Sequence, residues 1–211
     1  MAKVKISQLI AKGSSLEATD LIPIAEEAGA AYITKRVNGN GIINKLYAQT
    51  ANSTTITNTT TELSLIDGGV GTLSVPANAF QVGDSFRLDM GGVMSAQNNN
   101  TITIKLKTGS VVLGNSGALT MPSITNQVWF LTATFTIRSI GTTGVASIVC
   151  LAQFHILKQA SGTQQGFAWN TVNSTTFNTT INNTLDITAQ WSSANTNNAI
   201  YSDIFTLSKT Y

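Results

Sequence analysis

The chain has 211 residues, of which 42% are hydrophobic and only 10% charged, with 12 basic against 10 acidic side chains and a formal net charge of +2. An ordinary domain carries about 25% charge, whereas polarity here comes from 31 Thr, 19 Ser and 19 Asn. This excludes intrinsic disorder, which combines low hydrophobicity with high net charge, a collagen repeat, which needs a Gly-X-Y period rich in Pro, and a nucleic-acid footprint, which needs clustered basic residues.

Charge is unevenly spread. Six of the ten acids and six of the twelve bases lie before residue 68, so the remaining 144 residues are nearly uncharged. The first part, residues 1–48, holds short elements at Ile6–Ala11, Asp20–Ala25 and Ala31–Val37, punctuated by Gly13 and Gly29. Such a segment cannot bury enough apolar area to stand alone, which predicts that it docks elsewhere. Residues 49–62 form a Thr/Asn-rich run that reads as a connector.

From residue 63 to 211 the pattern is that of strands and turns. Thr101–Lys107, Thr132–Arg138 and Leu185–Trp191 alternate apolar and polar residues at the strand period. Further strands are expected at Gly71–Val75, Asp84–Met90, Val111–Leu113, Val145–Leu157, Gly166–Val172 and Ile200–Ser208. The expected turns include Gly68-Gly69, Gly91-Gly92, Gly114–Gly117 and Gly141–Gly144. The predicted class is all-β: an antiparallel jelly-roll sandwich carrying a small mixed N-terminal anchor.

Val145–Leu157 departs from one-sided alternation. Ile148, Cys150, Ala152, Phe154 and Ile156 share one face, but Val149 and Leu151 make the other face partly apolar too. Burial on both sides predicts an oligomer, with Ile148, Val149, Cys150, Leu151, Phe154 and Ile156 as the core and inter-subunit strand.

Little in the sequence points to chemistry. His155 is the sole histidine and Cys150 the sole cysteine. His155 reads as a strand residue near a subunit surface, with a three-fold metal site made of one His per chain as the alternative; Cys150 reads as a small hydrophobe. One Cys and one His per chain cannot supply a four-ligand zinc site. Glu26-Glu27 are adjacent and diverge, and Asp84 and Asp89 flank a strand, so no glycosidase pair emerges. Lys105 and Lys107 read as a solvated strand edge. Trp169 and Phe177, set among Asn and Thr, are the candidates for rings facing a glycan, with a core role as the alternative. No catalytic residue, metal or cofactor is expected, and the chain is not expected to be an enzyme. No apolar stretch approaches the roughly 18 residues of a membrane span, and no secretory signal is recognisable at the start.

Two stretches carry a resemblance. Lys5-Ile-Ser-Gln-Leu-Ile-Ala, then Ser15-Leu-Glu-Ala-Thr-Asp-Leu-Ile-Pro-Ile-Ala and Ala31-Tyr-Ile-Thr-Lys-Arg-Val, resemble the N-terminal attachment segment of bacteriophage fibre proteins, although Ile10 stands where that pattern often has Pro. Gly71–Arg87, Thr171–Thr180 and Ile200–Leu207 are similar to trimeric jelly-roll heads of the tumour necrosis factor and C1q group.

The resemblance implies a homotrimeric virion fibre or spike, made in the host cytoplasm. Residues 1–47, with Leu21, Ile22, Pro23 and Ile24 at the centre, would dock to a capsid or tail protein, and the head would meet a host surface glycan or protein. The alternatives are a capsid decoration protein, a secreted C1q-type ligand and, third, a fibre-borne glycan hydrolase.

Overall fold

A computed structural model describes residues 21–28, 31–38, 45–158 and 162–211. The chain divides into two compact units, residues 1–44 and residues 45–211. The described residues contain strands and no helix, so none of them forms a helix long and apolar enough to cross a membrane.

In the first unit, β1 (Leu21–Ala28) and β2 (Ala31–Asn38) pair antiparallel from Leu21 opposite Asn38 to Ala28 opposite Ala31. The anchor residues Leu21, Ile22, Pro23 and Ile24 all fall on β1. Pro23 is tolerated there because both strands of a two-stranded ladder are edges, where a missing N–H costs no pairing on the free side. The expected element at Ile6–Ala11 lies outside the described residues.

The second unit is two antiparallel sheets around one core. The first sheet has β9 (Thr101–Thr108) and β15 (Asn183–Trp191) at its centre, flanked by β10 (Val111–Asn115) and β5 (Leu63–Ser64). The short β11 (Leu119–Thr120) pairs with β9 and β7 (Ser74–Val75) with β15. The second sheet runs in the order β14 (Gln164–Ser174), β13 (Ser147–Leu157), β12 (Ile124–Ser139), β8 (Ser85–Ala96), β16 (Ala199–Lys209), β3 (Lys45–Gln49), β6 (Gly69–Gly71). The short β4 (Ile56–Thr57) pairs with β16. Inward residues follow the period-two pattern: Ile102, Ile104 and Leu106 of β9, Ile187 and Ala189 of β15, and Ile148, Cys150, Ala152, Phe154 and Ile156 of β13 are all buried.

Three differences from the expected layout have physical causes. The boundary between units falls after residue 44, so β3 belongs to the second sheet, where Ala48 stands opposite Thr206 and Tyr47 opposite Leu207.

The run 49–62 is not a free connector. Ile56 is buried in the core, Ser53 and Ser202 exchange hydrogen bonds (Ser53 N to Ser202 O, 2.9 Å; Ser202 N to Ser53 Oγ, 2.9 Å), and Glu62 binds two lysines of β9.

Gly91-Gly92 is not a turn but the middle of β8. The neighbouring strand β16 shifts register between Ser202 and Ile204, and a Cβ on Gly92 would lie 2.1 Å from the Tyr201 carbonyl oxygen. Glycine is required there for close approach of two backbones.

Candidate functional site

The outward face of the eight-stranded sheet gathers unusual side chains. Strand alternation dictates which ones: β13 turns its even-numbered residues from Ile148 to Ile156 into the core, so Val149, Leu151, Gln153 and His155 point outward. Pairing then lines up rows across the sheet. One row runs Gly166, His155, Phe130, Gly91, Ile204 from β14 to β16, and another runs Asn170, Leu151, Thr134, Arg87, Ser208.

Five large apolar residues stay in solvent on these strands: Val128 at 43%, Phe130 at 55%, Leu151 at 57%, Val172 at 56% and Ile204 at 55% exposure. Scattered single apolar residues on a surface are ordinary, whereas several on one sheet face mark an interaction surface. Phe130 and Ile204 close around Gly91: a Cβ there would meet Phe130 Cδ1 at 3.4 Å and Ile204 Cγ2 at 3.5 Å.

Two charges near the middle of this face neutralise each other. Arg87 Nε contacts Asp89 Oδ2 at 2.9 Å, and Thr132 Oγ1 donates to Asp89 Oδ1 at 2.9 Å. The Arg87 hydrogen bonds, helped by Thr132, hold the Asp89 carboxyl below its usual range against the opposing effect of burial.

The inter-subunit strand predicted from sequence splits between two roles. Ile148, Cys150, Phe154 and Ile156 are core residues of this chain, while Val149 is half-buried and only Leu151 is fully available at the surface. The two candidate glycan-facing rings do not face outward. Phe177 is 1% exposed and packs edge-on against Phe80, with ring centroids 5.4 Å apart. Trp169 stands opposite Ala152, which faces the core, so the indole turns inward and is half-buried. Its Nε1 is buried and makes no hydrogen bond, and it lies near the space a Gly114 Cβ would fill.

The remaining candidates do not assemble into a reactive centre. Burial pushes the Cys150 thiol up to about 12, which leaves it protonated and unreactive. His155 lies against Gly166, where a Cβ would come within 2.7 Å of its Cδ2. Among the described residues no three His, Cys, Asp or Glu side chains are grouped to hold a metal.

Lys105 and Lys107 are not a solvated edge, because β9 lies between β10 and β15. Both bind Glu62 at 2.6 Å, and Thr188 Oγ1 adds a hydrogen bond at 2.9 Å. The Lys105 and Lys107 hydrogen bonds lower the Glu62 carboxyl to about 2. This network was missed because Glu62 is isolated in a neutral run, and nothing local signals its partners. Between the sheets lies a mainly apolar cavity of about 70 Å³, lined by residues including Leu73, Leu113, Phe177 and Leu185; of its polar lining residues, Thr108 and Asn183 hydrogen-bond to each other at 3.1 Å.

Compared with known protein families, characterised proteins and solved structures, the chain matches none.

Proposed function

We propose that this protein is a virion structural protein: a homotrimeric fibre or spike whose first unit attaches to a phage tail or capsid and whose second unit is a jelly-roll head that contacts the host cell surface. The observation that carries the reading is the outward face of the eight-stranded sheet, where Phe130, Leu151, Val172 and Ile204 are exposed on a nearly neutral surface. A chain with so little charge has few means of keeping such a face in water, and association with copies of itself covers it.

Two further features support the reading. A separate small unit, residues 1–44, precedes the large one, as an attachment segment would. Strands distant in sequence pair in the sheets, β8 with β16 and β9 with β15, as they do in Greek-key and jelly-roll connections. The work of such a protein is binding. Three heads on one attachment point turn a weak contact into avidity gains of about 10² or more on a repetitive target such as a glycan-coated surface.

Sedimentation of the 211-residue chain tests the assembly, with a trimer expected and a monomer overturning it. Particles whose copy of the protein ends at residue 44 test the role. Loss of adsorption supports host contact, and unchanged adsorption makes the head a capsid decoration.

A further inference from the structure

A ring of three copies cannot be closed by one self-matching patch. It needs a head-to-tail contact in which two unlike patches of the same chain meet, whereas a patch that meets itself yields a two-fold dimer. The eight-stranded sheet carries two such patches on its outward face, one at the β13–β14 side and one across its middle. The first is Leu151 on β13 with Val172 on the edge strand β14. The second is Phe130 on β12 with Ile204 on β16, joined over Gly91. Leu151 stands opposite Thr134, four residues along β12 from Phe130, so the patches are about 13 Å apart along the strands. They are also offset across the sheet.

The border charges of the two patches are opposite. Arg138, exposed at the first patch, donates from Nη1 to Asn173 Oδ1 at 2.8 Å and enters no ion pair among the described residues. Asp203 is exposed beside Ile204 in the irregular step of β16 and likewise enters no ion pair among them. Arg87 and Asp89, on the same face, already satisfy each other.

The first patch also reaches an unprotected edge. β14 ends the sheet over 11 residues without a charged residue or proline, whereas the other terminal strand of that sheet, β6, has only three residues. Natural sheets usually guard an edge of that length, because its free N–H and C=O groups recruit another chain.

We propose that copies of this chain join head to tail, the Leu151–Val172 patch with Arg138 of one copy seating on the Phe130–Ile204 patch with Asp203 of the next. The inference rests on the homotrimer reading and specifies which surfaces meet. A second copy is the occupant because the two patches are both apolar and carry border charges of opposite sign.

Analytical ultracentrifugation of the full chain provides the test, with circular dichroism to confirm that each variant keeps its fold. Arg138→Asp or Asp203→Arg should each weaken association about tenfold, and the double reversal should restore it. Leu151→Glu and Ile204→Glu should each give monomers, because each destroys one of the two unlike patches. Mixed in equal amounts, these two variants retain one intact contact and should form a 1:1 complex that cannot close.

If the wild type is trimeric while either glutamate variant stays trimeric, or the mixture stays monomeric, the head-to-tail assignment is overturned and the trimer survives. A wild type that is monomeric at its highest soluble concentration overturns both.

Discussion

The two sheets of the second unit are finished alike on the inside and differently on the outside. Inward, β9 and β13 each present an unbroken row of buried apolar side chains. Outward, β9 carries Lys105 and Lys107, drawn together by Glu62, while β12, β13, β14 and β16 carry Phe130, Leu151, Val172 and Ile204 in the open. On its outer side the first sheet binds Glu62 and Thr60 of the chain's own 49–62 run, whereas the second leaves these apolar side chains uncovered. Burial on both sides of a strand, the expectation drawn from Val149 and Leu151, is thus met by this chain on one side only.

The sharpest way to break this contrast is to truncate one ring on each side of the eight-stranded sheet. Phe154→Ala should cost about 3–5 kcal/mol, because the ring is fully buried between the sheets and leaves a cavity. Phe130→Ala should change the stability of the isolated chain by only about 0.5 kcal/mol. Urea unfolding of both variants at a concentration where the chain is monomeric checks the pair. A large loss for Phe130→Ala would mean that the outer face already supports the fold of the single chain.

Next in size is Gly92→Ala. Its added methyl would strike the Tyr201 carbonyl oxygen 2.1 Å away and must push β8 and β16 apart, at a cost of about 1–3 kcal/mol. A thermal melt reads the loss, and Gly68→Ala offers no equivalent clash, since nothing lies within 4 Å of a Cβ there.

The inner faces of β9, β13 and β15 were legible because alternation is a local signal that each strand carries in its own residues. The middle of β8 was not, because Gly91-Gly92 has the composition of a turn and is explained only by the register shift in β16, more than a hundred residues later. The 49–62 run was misjudged for a related reason. Ser53, Ile56 and Glu62 tie it down, and their partners lie on β16, β15 and β9. Phe177 sits among Asn and Thr in sequence, yet its ring fills the space beside Phe80, which strand periodicity cannot reveal.

The polar side of the comparison can be sharpened by acid. The folded Glu62 carboxyl lies at about 2 against an ordinary value of 4.5, so the unfolded chain takes up the proton first as pH falls. Its contribution is therefore fully present above about pH 5 and is lost as pH drops towards 2. Glu62 is mostly shielded but remains near the surface, so the contribution should be about 1 kcal/mol. Glu62→Gln should remove that part of the acid dependence while lowering stability at neutral pH by the same amount, as denaturant midpoints between pH 3 and 7 would show.

The smallest expected effect concerns two neighbouring residues. Cys150 and Leu151 are adjacent on β13 but point to opposite faces, and the thiol is both enclosed and pushed up to about 12 by burial. An aromatic disulfide reagent at pH 8 should leave native Cys150 unmodified over hours and label it on unfolding, because only the thiolate attacks and none is accessible. Leu151→Cys places an ordinary thiol one residue along, in solvent. In the single chain it should react rapidly; in the assembled protein its rate should fall with increasing protein concentration, as the neighbouring copy covers it. A rate independent of concentration would leave the outward face of β13 bare in the assembly, and the difference between the two sheets would then need a cause other than a second copy.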